Sequence, residues 1–289
     1  MSISTSLNFH KYTNTFQHCE SPVWDDRSEE LFFVDIDSGS LVSITPAVGL
    51  NRIIDKDGLT SVSLTSSGGL VCGGLSSVHI YNASRTTFPF NLPRRTRLNE
   101  AKPDAFGRLW LASMDVHEVE PLGELFCLLP SGEIRRVVGE LVVGNGIGWN
   151  AENTIMFLTD SVRGEIYQFD FDLLRGEISN KRLFAKIAPS IGLPDGLAVD
   201  ASDGVWSAHF NGGRITRYLP NGEVDFCLAL PVKSPTSLCF GGKEYRDLYV
   251  TTSCLDSAHG GDLASAVLQI TTKFRGLPPH RFNDAKFSR

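Results

Sequence analysis

"LVVGNGIGWN", residues 141–150, reads at first sight as a strand running into a glycine-rich phosphate loop. Three features exclude a dinucleotide site. Gly144, Gly146 and Gly148 follow G-x-G-x-G spacing, not G-x-G-x-x-G. The residues after them, "WNAENTIMFLTD" (149–160), head into a second strand and offer no amphipathic helix whose N-terminus could hold a pyrophosphate. Finally, the frame around Asn145 recurs along the chain without the glycines.

That frame is a polar residue, three residues, a mostly apolar residue, and then a strand. Glu20 to Trp24 leads to Leu31, Thr60 to Leu64 leads to Leu70, and Asn99 to Pro103 leads to Leu109. Asn145 to Trp149 leads to Ile155, Asp195 to Val199 leads to Val205, and Thr236 to Phe240 leads to Leu248. Successive starts lie 40, 39, 46, 50 and 41 residues apart. The strands are short apolar or alternating runs bounded by turn residues, such as "ELFFVDI" (30–36) and "GVWSAHF" (204–210). Most are followed by a glycine and a second apolar run, such as "GSLVSIT" (39–45) and "GEIYQFD" (164–170). Helical periodicity is scarce, which argues against a parallel βαβ sheet.

Six repeats of roughly 40–50 residues, each with about four strands, predict an all-β, six-bladed β-propeller occupying residues 1–289 as one domain. WD and Gly-His signals are absent. The segment before Glu20 is expected to supply a strand to the last blade, since an open sheet edge invites aberrant pairing. In a propeller the innermost strand of each blade lines the central channel. Glu20, Thr60, Asn99, Asn145, Asp195 and Thr236 should therefore converge at one end of the axis. Buried like charges in such a ring repel unless a cation neutralises them. Glu20, Asn145 and Asp195 offer three oxygen donors, which suits calcium, magnesium or manganese, and zinc also accepts carboxylates. Thr60 and Thr236 read more simply as turn hydroxyls. Arg97 and Asn99, two apart on an extended segment, face the same side as donors to hydroxyl or carbonyl oxygens; a surface ion pair of Arg97 with Glu100 is the competing reading. His117 and Glu118 fall where a loop should overhang the channel.

The 289 residues carry a formal net charge of −6 and no Lys/Arg block, which speaks against nucleic acid or an anionic membrane as partner. "PRRTR" (93–97) is the densest basic cluster. The N-terminus has no apolar core of a secretory signal, and no apolar run reaches the roughly 18 residues of a transmembrane helix. The six cysteines form no C-x-x-C pair, and reduced thiols in a cytoplasmic protein are the expectation. Neither a G-x-S-x-G elbow, an H-E-x-x-H pair nor a P-loop is present.

"CESPVWDDRSEELFFVDI" (19–36), "RLNEAKPDAFGRLWLASM" (97–114), "GNGIGWN" (144–150), "LPDGLAVDASDGVWSAHFNGGRITRYLPNGEV" (193–224) and "SLCFGGKEYRDLYVTTS" (237–253) together resemble the regucalcin/gluconolactonase/luciferin-regenerating-enzyme family, in the family's order, from about Glu20 to about Ile270. The resemblance implies a six-bladed propeller with one divalent metal in the channel and hydrolysis of a sugar lactone. It makes Glu20, Asn145 and Asp195 the metal ligands, Asp195 also the general base, and Arg97, Asn99, Glu100, His117 and Glu118 the substrate side. Relatives of similar fold hydrolyse organophosphates, and a calcium-binding propeller without catalysis is the other alternative. The chain departs from the family at Asn99-Glu100-Ala101-Lys102, where Asn-Asp-Gly-Lys is usual, and at Ala112-Ser113-Met114, where Gly-Thr-Met is common. The family's substrate-contact glutamate falls at His117, with Glu118 adjacent. On this reading Gly144 and Gly146 let the backbone turn tightly on either side of Asn145, and Trp149 is core beneath the site.

Overall fold

The computed structural model describes residues 10–11, 16–56, 58–82, 84–255 and 266–287. Within them the chain forms six sheets, each built on four antiparallel strands, the blades of a β-propeller. The innermost strands of blades 1 to 6 are Cys19–Asp25, Leu59–Thr65, Thr96–Pro103, Gly144–Trp149, Leu193–Val199 and Ser234–Gly241. Each carries one repeat of the sequence frame. The core consists of wedges between adjacent blades. Phe32, Val34, Val62 and Leu64 fill the gap between blades 1 and 2, for example. The Trp24 ring stacks on Tyr249, with centroids 5.5 Å apart, across the join of blades 1 and 6.

Both chain ends are tied into the ring. His10–Lys11 pairs with Val267–Thr271 as the outer strand of blade 6, the closure expected from the sequence. The other end adds something the repeats did not announce. Arg281–Phe282 pairs in parallel with the inner strand Leu59–Thr65, giving blade 2 a fifth strand. Phe282 is fully buried, and Arg281 donates to Asp25 at 2.6 Å.

In every blade the pairing of the two innermost strands slips by one residue at the frame position. The slip brackets Thr60 and Asn99 in blades 2 and 3, and Asn145, Asp195 and Thr236 in blades 4 to 6; in blade 1 it begins at Glu20. A β-bulge leaves its extra residue out of the ladder and re-aims the side chain. The bulge turns Asn99, Asn145 and Asp195 toward the mouth of the channel.

A second repeat lies five residues further on, where each inner strand turns outward. Asp25 accepts from the Arg27 amide, Thr65 from Gly69, Asp104 from Phe106 and Arg108, Asn150 from Thr154 and Ile155, and Asp200 from Ser202 and Gly204. Blade 6 has Gly241 there. These side chains mimic a turn of backbone, as Asx and hydroxyl turns do. In blades 3 and 5 the second carboxylate oxygen is also used. Asp104 takes Arg108 Nε at 2.6 Å and Trp110 Nε1 at 2.9 Å. Asp200 takes Trp206 Nε1 and Arg217 Nε, both at 2.8 Å.

Arg217 is 4% exposed, so its charge depends on Asp200 and Asp225. Removing one partner of a buried ion pair leaves an uncompensated charge. Asp200→Ala is expected to lower stability by about 3 kcal/mol or more, read as a fall in the urea midpoint at unchanged slope. Asp200→Asn, which keeps the turn acceptor, should lose less.

Candidate functional site

Two cavities occupy opposite ends of the channel. The first, about 110 Å³, is lined by Glu20, Asn145 and Asp195 together with Arg97, Asn99 and Glu118. The ring read from the sequence thus supplies four of its polar walls. Thr60 and Thr236 do not reach it. Thr60 Oγ1 donates to the Gly73 carbonyl at 3.2 Å, and Thr236 Oγ1 to the Cys19 carbonyl at 2.6 Å. Both are buried, and both serve the backbone.

Glu20, Asn145 and Asp195 are each less than a tenth exposed. The Asn145 amide nitrogen donates to Asp195 Oδ1, and lies 3.2 Å from Ser161 Oγ. The Ser21 amide holds Glu20 Oε2 at 2.9 Å. Asp160, buried at the end of the second strand of blade 4, accepts from the Val142 and Val143 amides and so fixes the chain as it enters the strand bearing Asn145. Burial, and then the nearby Glu100, pushes the Glu20 carboxyl up to about 8. Burial, and then Glu20, raises Asp195 well above the usual carboxylate range. Burial also raises Glu100.

Gly144 and Gly146 have a different role from the expected one. Neither adopts a left-handed conformation. A Cβ at Gly146 would stand 2.6 Å from the Leu197 amide nitrogen and 2.7 Å from the Asp195 carbonyl, and one at Gly144 2.8 Å from the Ser113 carbonyl. They permit the inner strand of blade 4 to press against blades 3 and 5, which brings Asn145 beside Asp195. Trp149 is buried below the site, as expected.

On the substrate side, Arg97 Nη1 donates to Asn99 Oδ1 at 2.8 Å, and Asn99 Nδ2 to the Gly144 carbonyl at 3.1 Å. No ion pair joins Arg97 to Glu100; the charges acting on the guanidinium are Glu118 and Glu20, while burial lowers its pKa. Glu118 is exposed on a loop that reaches over the cavity, held because Asp115 accepts the Val119 and Glu120 amides at 3.2 and 2.9 Å. His117 is exposed beside it and does not line the cavity. Glu100 is also not in the cavity wall. It is 3% exposed, and its Oε1 lies 3.3 Å from Ser21 Oγ and accepts its own neighbour's amide, Ala101 N, at 2.9 Å. The bulge at Asn99 separates the two: Asn99 faces the mouth and Glu100 turns inward against blade 1.

His18 and Ser161 are site residues that the frame did not mark. His18 Nε2 lies 3.9 Å from Glu20 Oε1, and its ring stacks on Phe210 with centroids 6.3 Å apart. Among the described residues no group of three His, Cys, Asp or Glu side chains is poised for a metal. The donor set here is two carboxylates and an amide. Turning the Asn145 amide by half a turn presents its oxygen instead of its nitrogen. Like-charged, buried carboxylates with raised proton affinity are the environment in which a hard cation replaces protons, so these residues fit a divalent cation. No helix among the described residues is long and apolar enough to cross a membrane, and all six cysteines are free thiols.

Residues 18–254 match the SMP-30/Gluconolactonase/LRE-like region. Regucalcin of Oryctolagus cuniculus is 31% identical over 284 residues, covering 92% of this chain and 95% of that protein. A calcium-binding regucalcin from Agrobacterium tumefaciens superposes with a TM-score of 0.85 at 16% identity, covering 93% of this chain and 95% of that one. A gluconolactonase from Xanthomonas campestris superposes with a TM-score of 0.74 at 17% identity over 92% and 89% of the two chains. With its propeller, its channel site and a family match over most of its length, the chain belongs to the SMP-30/gluconolactonase/LRE-like family.

Proposed function

We propose that this protein is a metal-dependent lactonase that opens a sugar lactone to the sugar acid. The observation that carries the reading is the convergence of two buried carboxylates, an amide and a guanidinium at one channel mouth, in a chain of this family. Family membership supports lactonase-like chemistry, and the gluconolactonase of similar fold is consistent with it.

Glu20, Asn145 and Asp195 would hold one divalent cation. When bound, such a cation supplies Lewis acidity, polarising a carbonyl and making water a stronger acid. The remaining work falls to side chains. Asp195, buried at the channel mouth, takes a proton from the attacking water. The water oxygen adds to the lactone carbonyl carbon, the ring C–O bond breaks, and the proton passes to the departing ring oxygen. Arg97 and Asn99 form a preset pair of donors for carbonyl or hydroxyl oxygens of the sugar. Glu118 overhangs the mouth as an acceptor for sugar hydroxyls.

A panel of aldonolactones, assayed with chelator and metal add-back, tests this reading. Asp195→Asn and Glu20→Gln are each expected to cut kcat/KM by about 10²–10⁴-fold. Arg97→Met should lose ~10-fold or more with cation binding intact. Unchanged hydrolysis in both carboxylate variants would sink the mechanism. Cation binding with no turnover of any lactone would favour a calcium-binding propeller.

The raised carboxyls also set a pH dependence for the chelated protein. Glu20 holds its proton to about pH 8 when folded and releases it near its ordinary value of 4.5 when unfolded. The folded state binds the extra proton in that window, so this contribution to stability is complete below about pH 4.5 and lost as pH rises toward 8. The melting temperature of chelated protein should therefore fall across the window more steeply in the wild type than in Glu20→Gln. Added cation should remove the difference.

A further inference from the structure

The inner strand of blade 3 differs from the other five in one respect. One residue past the frame position the blades read Ser21, Ser61, Glu100, Gly146, Gly196 and Ser237; three past it they read Val23, Ser63, Lys102, Gly148, Ala198 and Cys239. Only blade 3 places charges there, one of each sign. All six residues of the second set line the cavity at the opposite end of the channel, about 130 Å³ in volume. Its other walls include Trp24, Trp149 and Phe240, and it is floored by Leu277–His280 of the C-terminal segment.

Lys102 therefore lines the far cavity and not the one that holds Glu20, Asn145 and Asp195. Its Nζ donates to the Leu197 carbonyl at 2.7 Å, two residues along the strand from Asp195. This bond spans the channel from blade 3 to blade 5 and fixes the ammonium under the candidate metal site. Lys102 has no direct ion pair among the described residues. Its charge acts on Glu20 and Glu100 through the protein interior, lowering the proton affinity of both. Glu100, bonded to Ser21 next to Glu20, acts in the opposite sense on Glu20 and Asp195.

We infer that Glu100 and Lys102 are a built-in pair of counter-charges that sets the cation affinity of the site without ligating the cation. The inference rests on the metal-site reading above. Once a cation has displaced their protons, Glu20, Glu100 and Asp195 contribute three negative charges and Lys102 one positive, leaving two negative charges for one divalent cation to neutralise. Arg97 also acts on Glu20, ahead of Lys102, while Glu118 acts on Asp195 in the opposite sense, so the Arg97 and Glu118 pair at the mouth adds no net charge to this sum. In apolar, poorly screened surroundings a single fixed charge is felt strongly. Lys102 thereby restrains how tightly the cation is held.

Calorimetric titration of chelated protein with calcium, manganese and zinc chlorides tests the pair. Lys102→Met is expected to tighten binding by about 10-fold or more, and Glu100→Gln to weaken it by a similar factor. The double variant should return close to the wild type, and Lys102→Arg should behave as the wild type. Tightening is the decisive sign, since a variant that merely loosened the strand would bind less well. Should Lys102→Met not fold, Lys102→Gln, which keeps a donor for the Leu197 carbonyl, carries the same expectation. Equal or weaker binding in the folded lysine variants overturns the inference while leaving the metal site standing. A wild type that binds none of the three cations removes the metal-site reading and this inference together.

Discussion

The one-residue bulge in each inner strand is the constraint on which the site depends. A regular ladder would alternate side chains between the two faces of each blade, where they pack into the wedges between sheets. The bulge breaks that alternation once per blade, and in blades 3, 4 and 5 it leaves Asn99, Asn145 and Asp195 at the channel mouth. Six bulges at matching heights turn residues separated by up to 216 positions, Glu20 and Thr236, into one ring. In blades 1 to 5 the turn caps five residues later hold the far end of the inner strand, so the bulge is pinned between a fixed turn and the channel mouth.

What the ring then does is decided by charge. Threonines in blades 2 and 6 spend their hydroxyls on backbone carbonyls and do not line the cavity. Carboxylates in blades 1 and 5 find too few hydrogen bonds to be ionised cheaply away from water, and their proton affinities rise accordingly. Blade 3 supplies positive charge at two heights, Arg97 at the mouth and Lys102 below. On the proposed reading, the cation would sit between two fixed positive charges of the chain itself, which suits a site with open positions more than a closed structural one.

The propeller, its blade count and the N-terminal strand of blade 6 were legible because they follow from periodicity and from the need to close a sheet edge. The grouping of Glu20, Asn99, Asn145 and Asp195 in one cavity followed from the same frame. The placement of Glu100 did not. Sequence spacing puts it beside Asn99, but a bulge sends consecutive residues in different directions, and no residue type at 99–100 announces one. His117 and Glu118 are likewise adjacent, and only the fold of the loop over Asp115 separates the one that lines the cavity from the one that does not. His18 is a lone histidine before a frame residue and carries no pattern. Lys102 had a visible signal that the frame reading did not use: it is the one charged residue at its position in six repeats.

Gly146 shows how the two levels meet. A glycine between two strands is commonly read as a turn, where a left-handed backbone excludes side chains. Here the backbone is ordinary, and the restriction comes from the neighbouring blade, whose amide nitrogen at Leu197 and carbonyl at Asp195 occupy the place of a Cβ. The same close approach carries the Asn145 amide to Asp195. A methyl group at 146 would have to push blades 4 and 5 apart, and because the ring is closed by paired strands at both chain ends, the displacement would fall on the distance between two side chains of the site. The glycine that resembled a phosphate loop is thus a condition for bringing an amide and a carboxylate from different blades to the same point.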